Sequence, residues 1–326
     1  MSASIHQLLR MPGRGERGFS LIETMVAMLI GIFLLSGAVT VFMIGRNTSR
    51  TGDAVSRMQE NLRYALDTIE PDIRMANFWG MTNRNDLITG VALPAAAQTA
   101  VDLGVTNNCG VNFTANLTNF IDGRDGTYGL TCAATNYLAG TDVLITRRAS
   151  ANQTAPLAGK LQVQSTRIAG QIFVNGTVPG GYAAAPLSET HDLFVNAYYI
   201  GEVLPSPSGN RQWALHRQTL TSGGATGAFV DQIIVTGIID LQVQFGVDTN
   251  NDNSADVYVN PGSALLTTGR VVSVKLWLLG EADDPEQGYN NTTVYTLGSR
   301  VDGPYNDKRR RMLFSKTISV RNAQAP

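Results

Sequence analysis

Chemically reactive side chains are scarce, with three histidines and two cysteines among 326 residues. No G-x-S-x-G, H-E-x-x-H or glycine-rich phosphate loop occurs, which leaves nucleophilic, zinc-hydrolytic and nucleotide chemistry without a foothold. A C-x-x-C pair is also missing, so that redox or zinc motif is excluded. His191 and His216 each sit in a strand-like run, where a lone histidine is usually structural. Charge is sparse as well: charged residues make up 16% and the formal net charge is −1, so no global potential draws nucleic acid. A membrane-anchored enzyme is the least favoured class.

Apolar and turn-forming residues are plentiful. The chain is 43% hydrophobic and has 33 glycines, a composition of strands and turns more than of a helical bundle. Its length admits one large β-rich domain or two ordinary ones. Cys109 and Cys132 lie in turn-rich sequence well beyond the longest apolar segment. In an exported chain, such an even pair reads as one disulfide closing a loop, contributing about 3 kcal/mol in the chain-entropy picture. Two unpaired thiols are the alternative.

The longest apolar run spans residues 19–45 and carries one charge, Glu23. A bilayer-crossing helix needs about 20 apolar residues, whereas a secretory h-region has about 7–15, so this run fits a membrane helix. Arg10, Arg14 and Arg17 precede it, which places the N-terminus in the cytoplasm and the bulk of the chain outside. Arg46 and Arg50 on the far side weaken that asymmetry without reversing it. A carboxylate inside such a run costs about 2.5–3.5 kcal/mol on insertion scales, which makes Glu23 a functional candidate. Snorkelling to the nearby interface is the bland alternative.

Arg17-Gly18-Phe19-Ser20-Leu21-Ile22-Glu23 resembles the cleavage signature of type IV prepilins. The resemblance implies that a prepilin peptidase removes residues 1–18 as a leader, cutting after Gly18 and methylating the new N-terminal Phe19. It also implies an assembly role for Glu23, whose carboxylate can pair in a filament core with the α-ammonium of a neighbouring subunit, each offsetting the other's desolvation. Loss of Arg10, Arg14, Glu16 and Arg17 leaves the mature chain mildly acidic.

Beyond the membrane run, Val55, Met58, Leu62, Leu66, Ile69 and Ile73 recur at helical spacing with Arg57, Glu60, Arg63 and Asp67 between them. One helix is therefore predicted from about Phe19 to the region of Pro71, roughly 75 Å long, with a kink at the proline. After Trp79-Gly80 the pattern changes to short runs broken by Gly, Asn, Pro and Ser. Strands are predicted over 141–148, 160–168, 191–200, 212–220, 238–247, 271–279 and 312–321. Residues 81–140 read as an irregular region holding the cysteines. The predicted organisation is a leader (1–18), a membrane or filament-core helix (19–45), its amphipathic continuation (46–76) and a β-rich domain (77–326).

Three stretches resemble PilW-type minor pilins: Asp72-Ile73-Arg74-Met75-Ala76 with Trp79-Gly80, Leu241 through Asp248 with the Asp/Asn-rich loop after it, and Arg310 through Ser315 running on to Asn322. J-type pseudopilins of type II secretion are close relatives. The resemblance implies an α+β pilin-like fold, a long N-terminal helix packed on an antiparallel β-sheet, and a part in initiating or capping a pilus used in motility and adhesion. Implied partners are the major pilin, other minor pilins, the prepilin peptidase, an inner-membrane assembly platform and a tip adhesin. The implied location is the bacterial inner membrane with the C-terminal domain in the periplasm, and then the pilus surface. No cofactor is required.

Asp248, Asn250, Asp252, Ser254 and Asp256 place side-chain oxygens at alternating loop positions, as a calcium loop does. Asn253 stands at the usual glycine position and Val259 at that of the bidentate Glu, so calcium and a plain Asn-rich hairpin loop both stay open, and with calcium an anchored adhesin that does not polymerise. Lys308-Arg309-Arg310-Arg311 could attract phosphate; a solvated strand edge that discourages aggregation is the favoured reading. No aromatics interleave as a single-strand nucleic-acid binder requires, so nucleic acid is not an expected partner.

Overall fold

The structure is a computed structural model and describes residues 18–89, 109–110, 113–182, 186–203, 211–221 and 228–323. The leader apart from Gly18, and much of the irregular 81–140 region, lie outside the described residues. The chain forms two compact units, Met1–Asp53 and Ala54–Pro326. Helix α1 (Leu21–Arg74) runs through both. Its sequence is dominated by Leu, Ile, Met, Ala and Val without an interior proline until Pro71. The helix continues past that proline to Arg74, where the Met75 N–H bonds the Pro71 carbonyl at 3.0 Å.

In the second unit the predicted stripe is the buried one. Met58, Leu62, Leu66, Ile69 and Ile73 pack into a core with Leu241, Val243, Phe245, Val274, Leu276 and Leu278. A Cβ on Gly280 would meet Leu62 at 2.9 Å, so glycine there permits the close approach of helix and strand.

The strands in chain order are β1 (Ile88–Thr89), β2 (Ile121–Arg124), β3 (Val143–Ala149), β4 (Ala158–Ser165), β5 (Gly170–Asn175), β6 (Glu189–Glu202) and β7 (Trp213–Thr221). They continue as β8 (Ala228–Thr236), β9 (Ile238–Asp248), β10 (Val257–Val259), β11 (Arg270–Glu281), β12 (Tyr295–Leu297), β13 (Arg300–Asp302) and β14 (Arg311–Ser319). β1 to β8 form an eight-stranded sheet in the order β1-β5-β4-β6-β3-β2, with β7 beside β6 and β8 beside β7. β10-β9-β11-β14 form a four-stranded antiparallel sheet, and β12 and β13 a ribbon. Every pairing is antiparallel except the short β1–β5 contact. All seven predicted strands are present, with ends shifted by a few residues. β1, β2, β5, β8, β12 and β13 were not anticipated: β1, β2, β12 and β13 have only two to four residues, β1 and β2 within the stretch read as irregular, and the apolar residues of β5 and β8 fall in short unbroken runs without alternation.

Both faces of the large sheet are buried, which explains why β3 and β6 do not alternate. Leu144, Tyr198 and Ile200 join the core with α1, whereas Val143, Ile145, Ala197 and Tyr199 face a second core with Trp79, Phe113, Leu117 and the cysteines. Arg147, wholly buried, ties that second layer down. Its Nε donates to the Phe113 carbonyl at 2.8 Å and its Nη1 to that of Asn119 at 2.5 Å, and burial pushes its pKa down to about 10.

Asp142 joins the two sheets. Its N–H donates to the Leu241 carbonyl at 2.8 Å, and its carboxylate accepts the N–H groups of Gly126 and Val243, both at 2.9 Å. Asp240 accepts from Gln242 at 2.9 Å and lies 3.3 Å from Arg300. Burial pushes each carboxyl up to about 6 from an ordinary value of 3.8. These acids bind protons more readily in the folded state. The stability they contribute is thus complete below about pH 3.8 and is lost as pH rises through about 6. Ion-paired carboxylates such as Asp307, held low by Arg311, act in the opposite direction, so a difference measurement is needed. The melting temperature of Asp240→Asn relative to wild type is expected to rise between pH 4 and pH 7; a constant difference would contradict this assignment.

Candidate functional site

The N-terminal segment is built to leave one polar group without a partner. Ser20 caps α1: the Glu23 N–H donates to the Ser20 hydroxyl at 3.3 Å and to the Ser20 carbonyl at 3.0 Å. Ser20-Leu21-Ile22-Glu23 has the capping-box spacing, and an acid in the first turn also suits the positive end of the helix dipole. The S-x-x-E spacing was open to sequence reasoning, which did not use it.

The other hydroxyls of the segment turn back onto their own helix. Thr24 donates to the Leu21 carbonyl, Ser36 to that of Phe33 and Thr40 to that of Ser36, each at 2.8 Å. Local bonds of this kind satisfy a polar side chain without a partner chain. The Glu23 carboxylate has no partner among the described residues. Around it Phe19, Leu21, Ile22, Met25, Leu29 and Phe33 are exposed, Phe19 and Leu21 at 80%. This apolar surface far exceeds what a soluble monomer leaves uncovered. The segment is long and apolar enough to cross a membrane. Gly18 and Phe19 precede the helix in non-helical backbone, with open space where a Gly18 side chain would stand.

Cys109 and Cys132 are joined in a disulfide. Both sulfurs lie in the second core, with the Tyr128 hydroxyl 3.4 Å from Cys132. The two described histidines are buried beside carboxylates. His191 lies between the Ser150 carbonyl at 2.8 Å and Glu189 at 3.0 Å, and His216 is held by Asp231 at 3.0 Å.

The 248–256 loop satisfies its own acids. Asp248 accepts the N–H groups of Asn250, Asn251 and Asn253 and pairs with Arg270 at 2.5 Å. The Asn250 amide bridges Asp252 and Asp256, each at 3.2 Å, and Ser254 donates its N–H to Asp252. Asn251 and Asn253 adopt left-handed backbone, φ 65 and 67°, which asparagine tolerates. Among the described residues no group of three or more His, Cys, Asp or Glu side chains is arranged to hold a metal.

The basic run is not a solvated edge, and that expectation is corrected. Arg309 and Arg311 both pair with Glu281, Arg310 pairs with Glu286, and Arg311 also pairs with Asp307 at 2.7 Å. Arg310 lies over Tyr289 and Arg311 over Tyr305, 4.4 and 3.6 Å from the ring centroids. The run staples the segment before β14 onto the sheet. Spacing alone could not show this, because Glu281 and Glu286 are far away in sequence.

The first and last of the PilW-resembling stretches meet in space. Asn77 and Asn83 donate to the Asn322 carbonyl at 2.8 and 3.3 Å. Trp79 is buried and donates to Asn77 at 2.9 Å. Gly80, at φ 91°, lies where a Cβ would fall 2.5 Å from the Ser165 hydroxyl and 2.6 Å from His191.

Comparison with known families agrees with this geometry. Residues 13–39 match the family described as Prokaryotic N-terminal methylation motif, and residues 197–322 match that described as Type IV Pilus-assembly protein W. The two matches together cover less than half of the chain and support a type IV minor pilin. The second match runs from the middle of β6 through β14, so it covers the four-stranded sheet, the 248–256 loop and the arginine staple. The chain is also similar to the pilin-like protein PilA3 of Thermus thermophilus, 32% identical over 72 residues, which are 22% of this chain and 31% of that protein. The match thus spans about a third of that relative's length. A solved type IV-like pilin from Thermus thermophilus shares 14% identity, over 57% of this chain and 80% of that one, with a TM-score of 0.26.

Proposed function

We propose that the protein is a minor pilin, processed after Gly18, which assembles with other pilins to initiate or cap a type IV pilus. The observation that carries this reading is the unpartnered Glu23 carboxylate, set one helical turn from the Gly18-Phe19 junction on an otherwise self-satisfied, exposed apolar helix. Residues 1–18 act as the leader, 19–45 hold the subunit in the inner membrane and later in the filament core, 46–76 carry the helix into the globular part, and 77–326 stand in the periplasm. The prepilin peptidase, the inner-membrane platform, the major pilin, other minor pilins and a tip adhesin are its partners in this reading. Its role is structural, without catalysis. Sheared filaments from cells expressing the chain should contain it, and its deletion should lower pilus number. Normal piliation without it, together with impaired protein secretion, would assign it to a secretion pseudopilus instead.

In this reading the 248–256 loop is a self-capped hairpin. Arg270 already supplies the positive charge beside Asp248, and the loop amides fill the remaining acceptor positions. Millimolar calcium is expected to leave the melting temperature of the soluble domain unchanged. A rise that disappears in Asp248→Ala with Asp252→Ala would establish a calcium site; at a hundredfold excess over the dissociation constant it would reflect about 2.7 kcal/mol.

A further inference from the structure

Outer strands of soluble sheets are normally kept short, charged or covered, because their free N–H and C=O groups accept a further strand. Most outer strands here obey that rule. β1, β2 and β10 have 2, 4 and 3 residues. β14 carries Lys316, paired with Glu70 at 2.6 Å.

β8 does not obey it. It has 9 residues, Ala-Phe-Val-Asp-Gln-Ile-Ile-Val-Thr, with no lysine, arginine or proline. It pairs only with β7 among the described residues, none of which forms a ladder on its outer side. Its single acid does not guard the edge, since Asp231 is taken by His216 at 3.0 Å and by the Thr135 hydroxyl at 2.5 Å. Val230 and Ile233 are 43% and 47% exposed. The strand is also well anchored, because Phe229 packs edge-on against Phe113 with ring centroids 5.5 Å apart. A register shift opposite Leu215 and His216 bends the strand at Ile234 and leaves Ala228–Ile233 as the regular stretch.

We infer that the outer edge of β8, over 228–233, pairs by strand addition with an extended, uncharged segment of a neighbouring pilin subunit. The edge offers neutral backbone donors and acceptors flanked by apolar side chains, and its complement is another strand without charge. The inference rests on the filament reading above, which also selects the occupant. Contacts that propagate a filament join different surfaces, whereas two-fold pairing of β8 with a second copy would close on itself.

The test places a photo-crosslinking residue at Val230 or Ile233 of the full chain in piliated cells, with Tyr64 on the exposed face of α1 as a third position. Positions 230 and 233 are expected to give adducts that mass spectrometry assigns to an extended segment of another processed pilin. Val230→Lys with Ile233→Lys, both at exposed positions, is expected to lower the filament-associated fraction about tenfold, the effect of about 1.4 kcal/mol, at unchanged membrane level and melting temperature. An adduct of twice the chain's own mass would overturn the inference. So would silent β8 positions in a chain that is present in sheared filaments, or a lysine variant that enters them normally; in these outcomes the filament reading survives. Absence of the wild-type chain from filaments would overturn both.

Discussion

Glu23→Ala is expected to leave cleavage after Gly18, membrane level and the melting temperature of the soluble domain unchanged, while strongly reducing entry into filaments. The carboxylate lies in the first helical turn, where Ser20 caps the backbone and neighbouring hydroxyls bond to their own helix. Within one subunit it therefore contributes little beyond the modest benefit of an acid at a helix N-terminus, about 0.3–1 kcal/mol when exposed. In a dry filament core the situation changes. An ammonium created by cleavage and a carboxylate from the next subunit each remove the other's uncompensated charge, and breaking a buried pair costs about 3–5 kcal/mol. A loss of that size corresponds to a reduction of a hundredfold or more in association. Pilus number and co-purification with sheared filaments are the readouts. A variant that enters filaments at the wild-type level would make interfacial snorkelling the better account of Glu23.

Asp72→Ala is expected to remove a large part of the folding stability of the globular unit. This carboxylate sits in the last turn of α1 and is only 3% exposed. It pairs with Arg148 at 2.7 Å and accepts from Asn196 at 2.5 Å and from Tyr198 at 2.7 Å. One acid thus ties the end of the helix to neighbouring strands β3 and β6. Removing it leaves the Arg148 guanidinium with the Ala149 carbonyl at 3.2 Å but without its counter-charge, and takes the acceptor from the Asn196 and Tyr198 donors, a cost of about 3–5 kcal/mol. The melting temperature of the soluble unit should fall by roughly 10 °C. Asp72→Asn keeps the shape and one acceptor and should lose less. Equal losses in the two variants would mean that the charge accounts for the whole effect, whereas an Asp72→Asn variant as stable as wild type would mean that the charge pairing with Arg148 contributes nothing.

Local signals in the sequence were dependable where one physical cause dominated. The uninterrupted apolar run gave the helix, and the 3.6-residue stripe from Met58 to Ile73 gave its buried face. Alternation in 238–247 and 271–279 gave β9 and β11, each buried along one face against that helix. Alternation gave nothing for β8, where Ile233, Ile234 and Val235 are consecutive because the strand bends at that point. Long-range pairing was the other blind spot. The Asp72 network, the arginine staple on Glu281 and the buried Arg147 each join residues far apart in sequence, and spacing carries no record of such partners. For the candidate site, Glu23 stood out because a lone acid in a membrane run is costly, and Gly18 and Phe19 because the stretch around them resembles the prepilin cleavage signature. The Ser20 cap was legible as well, in the S-x-x-E spacing at the predicted helix start, and was not used.

The central claim is that this chain is cut after Gly18 to expose an N-methylated Phe19, which then meets Glu23 of a neighbour. Mass spectrometry of the N-terminal peptide of the chain recovered from sheared filaments tests it directly. The predicted peptide begins at Phe19 and is heavier by one methyl group. A chain that retains residues 1–18 in cells with an active prepilin peptidase would contradict the account.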